Sequence, residues 1–190
     1  MISTTLQANT ILVFGDSLSA AYGIQPEEGW VALMAQKLDT ERYTLINASV
    51  SGETTDGGLT RLPALLDRHN PRYLVLQLGA NDALRGLPIQ RIHQNLIELV
   101  TLAQEAEVQV LIIGIRIPPN YGPQYTESFF NLYAEVADQF DIIRVPFLLE
   151  NVALDWNLMQ SDGLHPNAEA QPIILDNVWP YVESLLYKAE

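Results

Sequence analysis

Three residues of this sequence, Ser17, Asp162 and His165, have the types that nucleophilic catalysis by a serine hydroxyl requires. A serine hydroxyl becomes an effective nucleophile when an imidazole takes its proton near neutral pH. Asp162 precedes His165 by three residues, so its carboxylate can accept from Nδ1–H and leave Nε2 free for Ser17. Pro166 disfavours helical geometry at His165, and the ring is therefore predicted to lie on a loop.

Acyl transfer also needs hydrogen-bond donors for the oxyanion of its intermediate. The candidates are the backbone N–H groups of Ser17 and Gly52 and the side-chain amide of Asn81. Glycine at position 52 lets the main chain approach a substrate closely. The position of Ser17 alone leaves an alternative open, because a serine that follows a strand often caps a helix. Asp16 is predicted to order the turn through local hydrogen bonds.

The elements that position these residues are predicted from hydrophobic periodicity. Apolar runs predict strands buried on both faces, namely TILVF from Thr10, YTLIN from Tyr43, YLVLQLG from Tyr73, VQVLIIGI from Val108 and, more weakly, DIIRV from Asp141. Helical segments alternate with them, the clearest being Pro88 to Glu105, and a last helix is predicted from Asp176. This alternation indicates a parallel sheet with helices on both faces. The residues after the strands then lie at one edge, where such sheets bind ligands.

Composition narrows the possible functions. The chain has 190 residues, 48% of them hydrophobic, which predicts one domain over residues 10–187, with residues 1–9 disordered or a remnant of processing. The formal net charge of -13 disfavours nucleic acid and anionic membrane surfaces as partners. The absence of cysteine excludes thiol nucleophiles and zinc–thiolate sites. The apolar runs are too short for a spanning helix, so no stable membrane insertion is predicted.

Four pieces of the sequence, GDSLS, SVSGET, GAND and DGLHP, resemble the four motif blocks of the GDSL or SGNH hydrolases. The flanking stretches resemble the acyl-CoA thioesterase I, protease I and lysophospholipase group, also called arylesterases. The resemblance implies a three-layer flavodoxin-like α/β fold with a five-stranded parallel sheet and no cofactor. It also implies hydrolysis of small aryl esters, acyl thioesters and lysophospholipids through an acyl-enzyme intermediate. Carried over to this sequence, it makes Ser17, Asp162 and His165 the catalytic triad and Ser17, Gly52 and Asn81 the oxyanion hole.

The stretch RIPPNYG after the fourth strand is predicted to border the acyl chain of a substrate through Ile117, Pro119 and Tyr121. A rigid connector without ligand contact is the alternative. Two other functions are disfavoured. A metal-dependent phosphoesterase would need more histidines than this sequence has. In a non-catalytic flavodoxin-like binding module, Asp16 would repel the flavin phosphate. The resemblance implies a periplasmic or secreted location, although the first residues show no signal sequence.

Overall fold

A computed structural model describes residues 9–187, which form a five-stranded parallel sheet flanked by helices. The strands are β1 (Asn9–Gly15), β2 (Tyr43–Asn47), β3 (Tyr73–Gln77), β4 (Gln109–Ile113) and β5 (Ile143–Val145). The α-helices are α1 (Trp30–Lys37), α2 (Thr55–His69), α3 (Ala80–Leu84), α4 (Ile89–Glu105), α5 (Pro123–Phe140) and α6 (Gln171–Tyr187). The strand order β2-β1-β3-β4-β5 confirms the predicted three-layer flavodoxin-like architecture.

The bounds of the strands and of α4 agree with the predicted ones to within two residues, and the largest difference is at α6. β1 begins at Asn9, one residue before the predicted start of the domain, and the rest of the segment predicted to be disordered lies outside the described residues. α6 begins at Gln171 rather than at the predicted Asp176. The side chain of Asn167 accepts from the backbone N–H of Ala170 and so caps a 3-10 turn that continues directly into α6.

The sheet is most deeply buried at its centre. Residues 11–14 of β1 and 74–76 of β3 have no exposed surface, as expected for strands that helices cover on both faces. The prediction of burial on both faces is wrong for β2, in which Thr44 and Asn47 are exposed. β2 lies at the edge of the sheet, and only β1 pairs with it among the described strands.

The order of the strands reverses between β1 and β3. In their parallel register Gly15, the last residue of β1, lies beside Gln77, the last residue of β3. α1 packs against α6, whereas α2, α4 and α5 pack side by side, as right-handed crossovers on opposite faces of the sheet require. Open α/β sheets bind ligands in the crevice at such a reversal, and Ser17 follows β1 at this point.

Candidate active site

Ser17 lies in a series of turns directly after β1. The backbone oxygen of Asp16 accepts from the N–H groups of Ser19 (3.2 Å) and Ala20 (3.0 Å), and Asp16 Oδ1 accepts from the N–H of Leu18 (3.0 Å). Turns continue to Gly23, and α1 begins at Trp30. No helix begins at Ser17, so the helix-cap interpretation does not fit. The hydroxyl of Ser17 instead contacts an imidazole 148 residues further along the chain.

That imidazole belongs to His165. Its Nε2 lies 2.9 Å from Ser17 Oγ, and its Nδ1 lies 2.7 Å from Asp162 Oδ2. The second carboxylate oxygen of Asp162 accepts from the backbone N–H groups of Leu164 (2.9 Å) and His165 (3.0 Å). Partial desolvation raises the pKa of Asp162, but the hydrogen bonds from His165 and Leu164 outweigh it and lower the pKa to about 2. Asp162 is therefore ionised at any pH near neutrality.

Backbone hydrogen bonds within the loop that carries Asp162 and His165 stabilise its conformation. Gln160 N–H donates to His165 O (2.8 Å), and Gly163 N–H donates to Gln160 O (2.9 Å) with Gly163 at a φ of 66°. The Gln160 side chain ties this loop to the first one, because its Nε2 donates to Tyr22 O (2.7 Å). The Tyr22 ring lies 4.5 Å from the His165 ring, centre to centre. Tyr22 thus covers one side of the imidazole, a contact that the sequence did not indicate.

Gly52 lies at the tip of the turn between β2 and α2. Glu53 N–H donates to Val50 O (3.1 Å), and Gly52 has a φ of 81°, the left-handed backbone that the third residue of a type II turn needs. A Cβ built at Gly52 would have no described atom within 4 Å, so its backbone faces open space. Arg61 fixes the base of this turn by donating to Ala48 O (2.9 Å) and to the Glu53 carboxylate (2.5 Å).

Asn81 lies in the first turn of α3, close to the end of β3. Its side-chain Nδ2 is 2.9 Å from Glu53 O and 3.4 Å from Asp16 Oδ2. Its amide therefore bridges the turn that carries Gly52 and the turn that carries Ser17. Gly79 precedes α3 with a φ of 116°, and a Cβ there would lie 2.7 Å from the Tyr133 hydroxyl. Glycine at this position lets the chain turn sharply into α3.

Asp16 and Gln77 form a buried polar pair beneath Ser17. Gln77 Nε2 donates to Asp16 Oδ1 (2.9 Å), and Gln77 Oε1 accepts from Ser19 Oγ (2.6 Å) and from Asp16 N–H (3.3 Å). Burial raises the pKa of Asp16 to about 6, although the hydrogen bonds from Leu18 and Gln77 and the charge of His165 oppose the rise. The predicted local bond of Asp16 is present, but the long-range bond to Gln77 was not predicted.

The three residues predicted to contact an acyl chain have different surroundings. Ile117 is buried in the core, whereas Pro119 and Tyr121 are exposed. Tyr121 lines an open cavity of about 740 Å³ together with residues 86–90 and 122–125, and its hydroxyl donates to Leu84 O (2.8 Å). Ile117 and Pro119 are not among the residues that line this cavity, and neither are Ser17 and His165.

Two further properties bear on the alternative functions and on the partners. Within residues 9–187, no three side chains of His, Cys, Asp or Glu are grouped so that they could hold a metal ion, whereas a two-metal phosphoesterase needs several such ligands together. No helix in the same range is both long and apolar enough to cross a membrane.

Residues 13–172 match the model of the GDSL-like lipase/acylhydrolase family. The chain belongs to this family. It is 46% identical over 188 residues to esterase TesA of Pseudomonas aeruginosa, a match that covers 98% of this chain and 94% of that protein. It is 43% identical over 169 residues to thioesterase 1/protease 1/lysophospholipase L1 of Escherichia coli K12, covering 89% of this chain and 81% of that protein.

Among solved structures, the psychrotrophic esterase EstA from Pseudoalteromonas sp., inhibited by monoethylphosphonate, superposes with a TM-score of 0.89. It is 44% identical to this chain, and the match covers 94% of this chain and 99% of that one. The resemblance to the GDSL or SGNH hydrolases drawn from four motif blocks is therefore confirmed. The predicted ester-hydrolysing class of enzyme is likewise confirmed at the level of the family.

Proposed function

We propose that this chain is a serine hydrolase that cleaves small acyl esters and thioesters. The observation that carries the proposal is the connected series from Asp162 Oδ2 to His165 Nδ1 (2.7 Å) and from His165 Nε2 to Ser17 Oγ (2.9 Å). The relatives named esterase and thioesterase 1/protease 1/lysophospholipase L1 support both kinds of ester as substrates. We further propose that residues 10–187 act as one catalytic domain, since Ser17 follows the first strand and His165 precedes the last helix.

In the acylation step, Ser17 Oγ attacks the carbonyl carbon while His165 Nε2 takes the hydroxyl proton. Asp162 keeps the proton on Nδ1 and stabilises the imidazolium that forms. The carbonyl oxygen becomes an oxyanion that accepts from the N–H groups of Ser17 and Gly52 and from the Asn81 amide. The bond to the leaving oxygen or sulfur then breaks, and His165 gives its proton to the leaving group.

In the deacylation step, a water molecule replaces the leaving group. His165 Nε2 takes a proton from this water as its oxygen attacks the acyl carbon of the ester formed on Ser17. The same three donors stabilise the second oxyanion. When this intermediate breaks down, the carboxylic acid leaves, and the proton on His165 returns to Ser17 Oγ, which restores the free enzyme.

The nucleophile is tested by a fluorophosphonate probe and by hydrolysis of p-nitrophenyl butyrate. We expect Ser17→Ala to lose labelling and to lower kcat by several orders of magnitude. Ser49→Ala is the matched control, because its hydroxyl also follows a strand at this edge but is buried without a hydrogen-bond partner among the described residues. Turnover by Ser17→Ala close to that of Ser49→Ala would refute the proposal.

For the acyl chain we propose that Ile117, Pro119 and Tyr121 border its path. The exposure of Tyr121 and its place in the wall of the 740 Å³ cavity support this role for that residue. Tyr121→Ala is expected to change the ratio of long-chain to short-chain ester turnover, whereas Tyr121→Phe, which keeps the ring but loses the bond to Leu84, is not. An unchanged ratio in a folded Tyr121→Ala variant would favour the rigid connector. Ile117 is less suitable for this substitution test, because truncating its side chain also leaves a cavity in the core.

A further inference from the structure

The orientation of the Asn81 amide is unusually constrained for a side chain at the edge of a crevice. An amide nitrogen has two hydrogens, and Asn81 Nδ2 has two acceptors, Glu53 O at 2.9 Å and Asp16 Oδ2 at 3.4 Å. Both neighbours accept only, as long as Asp16 is ionised. The nitrogen of Asn81, and not its oxygen, must therefore point toward the turns that carry Ser17 and Gly52.

The carboxylate of Asp16 is itself unable to rotate away. Its Oδ1 accepts from Leu18 N–H (3.0 Å) and from Gln77 Nε2 (2.9 Å). Gln77 cannot flip, because its Oε1 already accepts from Ser19 Oγ (2.6 Å) and from Asp16 N–H (3.3 Å). Asp16 and Gln77 have no exposed surface, so water does not compete for these bonds. Oδ2 is consequently held toward Asn81.

We infer that Asp16 is a positioning residue for the oxyanion hole, acting on the Asn81 amide through Oδ2 and on the backbone at Ser17 through Oδ1. The inference rests on the proposed function. The bond from Oδ1 to Leu18 N–H spans Ser17 and fixes the direction of its N–H. The hydrogen bond to Oδ2 is long, at 3.4 Å. It orients the Asn81 N–H, but it is weak, so exchanging Oδ2 for a substrate oxyanion as the acceptor costs little.

The two acceptors of Asn81 have complementary effects in this arrangement. Glu53 O holds one hydrogen in a bond of ordinary length, and this bond persists when substrate is present. Asp16 Oδ2 holds the other hydrogen only until a stronger acceptor arrives. Preorganised donors of this kind lower the barrier because they need no reorientation when the negative charge develops. The expected effect of losing Asp16 is therefore on kcat, with KM little changed.

Asp16→Asn tests the inference. The new Oδ1 keeps both donors, Leu18 N–H and Gln77 Nε2, so the new amide nitrogen must face the amide nitrogen of Asn81, and two donors oppose each other. We expect kcat for p-nitrophenyl butyrate to fall about 10- to 100-fold. In an Asn81→Ala background the same substitution should change kcat less than about threefold, because the amide it positions is gone. Equal factors in both backgrounds, or wild-type kcat in Asp16→Asn, would overturn the inference.

Asp82→Asn is the matched control. Asp82 is also a buried carboxylate and is the neighbour of Asn81, but it accepts from Thr55 N–H (2.9 Å) and Thr55 Oγ1 (2.6 Å). Any effect of Asp82→Asn on kcat should be the same with and without Asn81. If Asp16→Asn does not fold, Asp16→Ser replaces it, since a serine oxygen can still accept from Leu18 N–H but is too short to reach Asn81. Failure of the proposed function itself would show separately, as activity retained by Ser17→Ala.

Discussion

Ionisation of Asp16 should make the stability of this protein depend on pH in a way that a single substitution removes. Burial raises the pKa of Asp16 from 3.8 to about 6 in the folded state. The folded protein thus binds the proton more tightly than the unfolded chain does. This contribution to stability is fully present below pH 3.8 and is lost as the pH rises through about 6.

The expected magnitude follows from the two pKa values. A rise from 3.8 to about 6 corresponds to about 3 kcal/mol of unfolding free energy at 1.36 kcal/mol per pH unit. About 2 kcal/mol of this contribution to the unfolding free energy is lost between pH 4 and pH 7. Asp16→Asn lacks the titrating proton, so its unfolding free energy relative to wild type should rise by about that amount over this range and then stay constant.

Urea unfolding followed by tryptophan fluorescence, to which the buried Trp30 contributes, measures this difference at each pH. The charges of His165 and Asp82 also act on Asp16, so they affect the measured difference as well. Tyr133 also faces Asp16, and burial raises its pKa well above 10, so it stays neutral throughout. Comparing Asp16 with Asp16→Asn in a His165→Ala background removes the effect of the His165 charge, which is the larger of the two. A free-energy difference that stays constant within 0.5 kcal/mol (about the error of the method) from pH 4 to pH 7 would refute the reasoning.

Three other outcomes follow from the described geometry. Asn81→Ala should lower kcat about 10²- to 10³-fold with KM nearly unchanged, as measured with p-nitrophenyl esters. Asp162→Asn should cost less kcat than His165→Ala, because the base survives in a misdirected tautomer, and an equal loss would argue against the role of Asp162. Gly58→Ala should lower the unfolding free energy by about 1–3 kcal/mol in urea titrations, since a Cβ there would lie 2.7 Å from Leu78 Cδ1 within the core.

The residues of the candidate site could be predicted because a parallel sheet brings strand ends to one edge. Ser17, Gly52 and Asn81 follow β1, β2 and β3, and His165 lies on the long irregular segment after β5. None of these predictions needed the packing of side chains. The pairing of Asp162 with His165 is local, and its spacing of three residues already indicated it.

The buried hydrogen bonds that stabilise the site could not be predicted from the sequence, because they join segments that are distant in the chain. Gln77 meets Asp16 across 61 residues, and Asp82 meets Thr55 across 27 residues. One signal was present, since a glutamine within the apolar run YLVLQLG would have to find a partner if that strand were buried. The exposure of β2 likewise depends on the order of strands in the sheet, which the periodicity of a single strand does not contain.

The separation of 148 residues between Ser17 and His165 has a consequence during biosynthesis. Ribosomes add about 5–20 residues per second, so the serine is made roughly 7–30 s before its base. In the proposed mechanism, the Ser17 hydroxyl of the growing chain cannot attack acyl esters until then. The proposed mechanism therefore predicts that activity arises in one late event, when the segment around His165 reaches the edge formed by the first strands. The appearance of esterase activity in a translation reaction would time the completion of folding without any added label.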